Sequence, residues 1–361
     1  GDPGTAGAGG AGGTGSTPGT AGSNGTAVSA GGNGGAGGAG AAGVTGVGAP
    51  NTIIATIGVD AGPAGVALSP DGARAYITNG DTVSVIDTAT NTVTATIGGF
   101  RLPTGVAVSP DGARAYIANL FGASVSVLDT ATNTVTATIG GFTLPTGVAV
   151  TADGTRAYIT NWGGTTVSVV DTATNTVTAT IGGFTNPFGV AVSPDGTRAY
   201  ITNEGGTSVS VIDTDPTSLG YNSVTATIGV GANPQEVAVS PDGTRAYITN
   251  SGSNTVSVID TDPTSLGYNT VTATIAGFRN PEGVAVSPDG RRAYIINSNR
   301  FGGTVSVIDT ATNTITATIG GFADPAGVAV SPDGARAYIT NYGGDTVSVL
   351  DTATGAGGNG G

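Results

Sequence analysis

Only three glutamates occur in this 361-residue chain, Glu204, Glu236 and Glu282, and they are its most chemically expressive residues. The chain has no His, Cys, Met or Lys, and its 11 basic residues are all Arg. A serine–histidine nucleophile and imidazole or thiolate metal sites are therefore excluded. Carboxylates, hydroxyls, Arg and carbonyl oxygens remain. Carboxylates that converge can hold a hard cation such as Ca2+, which wants several oxygens.

What must position these residues is a repeat. The phrase PAGVALSPDG begins at Pro63 and returns, with variations, at Pro103, Pro145, Pro187, Pro234, Pro281 and Pro325. The steps of 40 to 47 residues match the period of a propeller blade. Each unit carries four pieces rich in Val, Ile, Thr and Tyr, separated by turn signals. In the second unit they are Gly105–Ser109, Arg114–Asn119, Ser124–Asp129 and Thr134–Gly140. SPDG is a hairpin turn with Gly where φ must be positive, and DTATN is a short Asx-type turn. The last unit ends after its third piece, Thr346–Asp351, while an orphan fourth piece, Asn51–Gly58, precedes the first unit. Pairing the two closes the ring and protects a bare sheet edge. The expectation is an all-β, seven-bladed β-propeller of four-stranded antiparallel blades over residues 51–354.

An up-and-down blade puts the SPDG and DTATN turns on one face and the remaining links on the other. The first face is monotonous, apart from the duplicated insertion DTDPTSLGYN at Asp213–Asn222 and Asp260–Asn269. The second is varied and carries Phe121, Trp162, Glu204, Arg300, Phe301 and Tyr342. Glu236 stands where the other six units have Gly, and Glu282 lies one residue before such a Gly. Both begin innermost strands, which places them near the channel mouth. Two readings stand for the acids: solvated loops, or a cluster able to hold a cation or basic ligand. Two stand for the aromatics: caps over blade tops, or a patch for a protein or glycan. Arg recurs in all seven units, from Arg74 to Arg336, and so reads as a structural tie within each hairpin. The Tyr two residues later reads as stacked between blades.

Residues 1–50 form a Gly-rich tail with Gly at nearly every third position, and the phase resumes in 355–361. That period suits polyproline II, and the composition suits a flexible linker. The net charge of −13 repels a phosphate backbone, so no nucleic-acid partner is expected. No apolar run is long enough to span a bilayer.

The strands YITN at Tyr76–Asn79 and Tyr158–Asn161, followed by VSVID and ATIG, resemble the YVTN family of β-propeller repeats. YIAN at Tyr116–Asn119 and YIIN at Tyr294–Asn297 depart from the phrase. The flanking GGAGG and GGNGG triplets resemble mycobacterial PE-PGRS proteins. Together the resemblances imply a secreted or cell-envelope, surface-displayed protein of a mycobacterium. The expectation drawn from this is a non-enzymatic interaction module with a monomeric head. It would bind a protein or glycan through Phe121, Trp162, Glu204, Glu236, Glu282, Arg300, Phe301 and Tyr342, with no cofactor. The alternative resembles propeller lactonases, in which a cation, Ca2+ for instance, held near Glu236 and Glu282 activates water.

Overall fold

The computed structural model describes residues 51–299 and 302–353, which form seven four-stranded antiparallel sheets. The tail at 1–50 and the segment 355–361 lie outside the described residues. In the second blade the strands are Pro103–Val108, Arg114–Asn119, Ser124–Asp129 and Thr134–Gly140, each paired with the next. The innermost strand begins at the Pro rather than at Gly105, because Pro103 already stands opposite Asn119. The strand Thr52–Gly58 pairs antiparallel with Thr346–Asp351, in register from Thr52↔Asp351 to Gly58↔Thr346 across one irregularity. The seven-bladed propeller and its closure by the first strand are as expected.

Burial follows the sequence pattern. The second and third strands of each blade are buried on both faces, whereas outermost strands such as Thr92–Gly98 alternate exposed and half-buried positions. The recurring Tyr is fully buried and packs against the following blade: Tyr158 sits with Ala199, Ile201 and Ile212. In the SPDG turns Gly72 has φ +71°, the left-handed value that Gly alone adopts freely. The Ser69 hydroxyl donates to Asp71 Oδ1 at 2.5 Å and the Ala73 N–H donates to it at 3.0 Å. These bonds hold the Asp71 carboxyl below its ordinary range.

The Arg tie differs from expectation. Its partner is a carbonyl, one of the two acceptors expected, but it joins blades rather than organising its own hairpin. Arg156 Nη1 donates to the Thr214 carbonyl oxygen at 2.9 Å and Arg292 Nη1 to that of Thr352 at 2.9 Å. Each acceptor belongs to the DTATN-type turn of the next blade, which the guanidinium reaches because it extends past the hairpin edge.

The Thr of YITN makes a second stitch. The Thr78 hydroxyl accepts from the Gly65 N–H at 2.8 Å and donates to the Thr104 carbonyl oxygen of the next blade at 2.7 Å. Thr160, Thr202, Thr249 and Thr340 repeat the arrangement. Ala118 and Ile296, which replace Thr in the two departing units, have no hydroxyl to make it.

Candidate functional site: a carboxylate inside the central channel

The innermost strands enter the channel from the varied face, so successive residues form successive rings. The mouth ring is Ala64, Thr104, Thr146, Phe188, Gln235, Glu282 and Ala326. One residue deeper, six blades present Gly and the fifth presents Glu236. Below that lies a collar of valines, including Val66, Val148 and Val284. The cavity enclosed is about 300 Å³.

Crowding explains the glycines. A Cβ on Gly65 would come within 2.3 Å of the Thr104 carbonyl oxygen, and one on Gly283 within 2.7 Å of that of Ala326. The Thr104 carbonyl is the one that Thr78 holds in place. A side chain at this level therefore carries a packing cost that Gly avoids, and Glu236 bears it. Its carboxylate leans toward the fourth blade, where a Cβ on Gly189 would meet Glu236 Oε2 at 2.7 Å. The side chain is reachable along the channel yet walled by protein. That loss of surrounding water pushes its carboxyl up from 4.5 to about 7, although the Val237 N–H partly opposes the shift.

Glu282 sits at the mouth of the same channel. Burial raises its carboxyl too, against the opposing bond from Asn280 Nδ2 to Oε1 at 2.8 Å. A second, more open pocket adjoins it, lined by Asn280, Ser298, Asp324 and Tyr342 among others.

Glu204 stands apart from both. Trp162 Nε1 donates to its Oε2 at 2.9 Å, and Gln235 Nε2 donates to its Oε1 at 3.3 Å. Trp162 and Glu204 thus form one rim contact that reaches the channel through Gln235. Phe121 lies on a 3-10 turn, Leu120–Gly122, with 66% of its surface exposed. Tyr342 is 49% exposed and lies over Gly62. Arg300 and Phe301 lie outside the described residues. Of the expected residues, Glu236 and Glu282 line the channel, while Trp162 and Glu204 pair on the rim. Tyr342 lines the pocket that adjoins Glu282, and Phe121 stands elsewhere on that face. Gln235, the only Gln in the chain, was missed. Its signal was the variability of the mouth-ring position from unit to unit.

The donors do not fit a bound Ca2+. Among the described residues no three carboxylates group to hold a metal. The nearby Gln235 and Glu282 carbonyl oxygens already accept from Thr202 at 2.6 Å and Thr249 at 2.5 Å. Glu236 and Glu282 alone supply fewer than the six to eight oxygens, roughly, that Ca2+ takes.

Among the described residues no helix is long and apolar enough to cross a membrane. The family model described as Lactonase, 7-bladed beta-propeller, matches residues 106–268. No curated protein matches the chain. Among solved structures it is similar to hydrazine synthase of Kuenenia stuttgartiensis, with 24% identity and a TM-score of 0.71. That match covers 86% of this chain and 99% of the other, and at such identity it shows the fold alone. The lactonase match overturns the expectation of a non-enzymatic interaction module and favours the alternative, a propeller hydrolase. The chain is a β-propeller protein whose central blades resemble those of lactonases.

Proposed function

We propose that the chain hydrolyses a lactone or similar ester in its central channel, with Glu236 as the general base. The observation that carries this reading is the placement of Glu236. A carboxylate replaces Gly at one of seven equivalent positions, inside a cavity that raises its proton affinity. A carboxyl titrating near neutrality is suited to accept a proton and return it. Stability alone favours Gly at this position, and departures from local consistency concentrate at functional sites.

In this mechanism Glu236 takes a proton from a channel water as its oxygen adds to the lactone carbonyl carbon. The carbonyl oxygen becomes an oxyanion. In the mouth ring, Thr104 and Gln235 are side-chain donors with weak commitments, at 3.3 Å to the Thr146 carbonyl and 3.3 Å to Glu204. Collapse of the oxyanion breaks the ring C–O bond, and protonated Glu236 returns its proton to the departing alkoxide. The net change is one water added and one hydroxy acid formed. Glu282 stands at the entrance of the same channel.

The test is lactone hydrolysis by the purified chain and by Glu236→Gln. Loss of a general base predicts a fall in kcat/KM of about 10²–10⁴-fold. Wild-type activity should rise with pH through about 7, where Glu236 ionises. Activity in Glu236→Gln equal to wild type would remove Glu236 from the reaction.

A further inference from the structure

Among the described residues no cationic side chain lines the channel, whose walls carry the two carboxylates Glu236 and Glu282. A phosphate or carboxylate entering from the mouth would lose water and meet only like charge. Beneath Glu236 the wall is methyl groups from Val66, Val106, Val148, Val190, Val284 and Val328. These valines also pack against the cores between blades, which fixes their positions. The cavity of about 300 Å³ is at the small end of ligand pockets.

We propose that the channel selects compact, uncharged aliphatic lactones, with their methylenes in the valine collar and their carbonyl at the level of Glu236. Lactones bearing carboxylate or phosphate are turned away. The inference rests on the hydrolase reading for its chemistry, but selectivity of binding is measurable without turnover.

Unreactive lactams serve as probes, titrated by calorimetry into the full chain at about pH 8, where Glu236 is ionised. The seven-membered caprolactam carries two more methylenes than the five-membered pyrrolidinone. Burial of each in the collar predicts about fourfold tighter binding per methylene. Pyroglutamate, a pyrrolidinone with a carboxylate, should bind at least about tenfold more weakly than pyrrolidinone itself. The double variant Val148→Thr, Val284→Thr places hydroxyls in the collar at nearly constant volume. It should weaken caprolactam several-fold while circular dichroism shows the folded spectrum.

Pyroglutamate binding as tightly as pyrrolidinone, caprolactam binding no tighter than pyrrolidinone, or no lactam binding at all would each overturn the inference. The expected lactam series without hydrolysis of the matching lactones would support the selectivity and sink the hydrolase. Efficient hydrolysis of charged and neutral lactones alike would do the reverse.

Discussion

Gly189 leaves the space that the Glu236 carboxylate occupies: a Cβ on Gly189 would lie 2.7 Å from Glu236 Oε2 and 2.6 Å from the Gln235 carbonyl oxygen. One blade supplies the carboxylate and its neighbour supplies the vacancy. Gly189→Ala should therefore disturb Glu236 as well as the ring. The variant is expected to lose about 1–3 kcal/mol of stability, as overpacking does. It should also shift the pH midpoint of lactone hydrolysis away from that of wild type. A variant with unchanged stability and profile would show that the two residues do not touch.

The proton affinity of Glu236 makes stability depend on pH in a defined direction. Unfolded, its carboxyl titrates at about 4.5; folded, at about 7. Below the lower value both states are protonated and there is no difference. As pH rises from about 4.5 to 7 the unfolded chain gives up its proton first, so folding stability falls over that window. The total is roughly 3–4 kcal/mol, since one pKa unit corresponds to about 1.4 kcal/mol. Chemical denaturation across this range should show the decline in wild type and a smaller one in Glu236→Gly, where Glu282 is still raised; Glu236→Gly should be the more stable at about pH 8. Parallel profiles for the two proteins would show that Glu236 is not desolvated.

Closure of the ring can be weighed by a single hydroxyl. Thr340 Oγ1 accepts from the Gly327 N–H at 2.7 Å and donates to the Ala64 carbonyl oxygen at 2.7 Å, across 276 residues of chain. Thr340→Ala leaves both groups without that partner and is expected to cost about 1–3 kcal/mol. The second blade offers the converse. Ala118→Thr would add a hydroxyl between Gly105 and Thr146 and should stabilise by about 0.5–1.5 kcal/mol. Thermal unfolding reads both, and changes of the same sign in the two variants would disprove the stitch.

Backbone strain gives a fourth prediction. The residue before the repeat Pro is left-handed in all seven blades: Gly62, Leu102, Leu144, Asn186, Asn233, Asn280 and Asp324, with φ between +46° and +68°. Gly, Asn and Asp tolerate this region; Leu does not. Leu102→Asn should raise stability by about 0.5–1 kcal/mol. A measured loss would mean that the Leu102 side chain contributes more by packing than its backbone costs.

The sequence by itself determined the architecture. Alternating β-branched residues, a Gly at each SPDG turn and a Tyr in each second strand are local signals repeated seven times. The orphan strand Asn51–Gly58 fixed the closure by simple counting. Pairing and turn geometry act between chain neighbours, so such features survive reading one residue at a time. The site was legible only in part. That Glu236 breaks a run of glycines is visible in the sequence; that this position is crowded, desolvated and set above valines is not. These properties come from the other blades, most of them far along the chain. Likewise, nothing local distinguishes Glu204, held by Trp162 on the rim, from Glu236 inside the channel. Only the closed ring decides which carboxylate loses its water, because desolvation is the summed effect of all seven blades on one point.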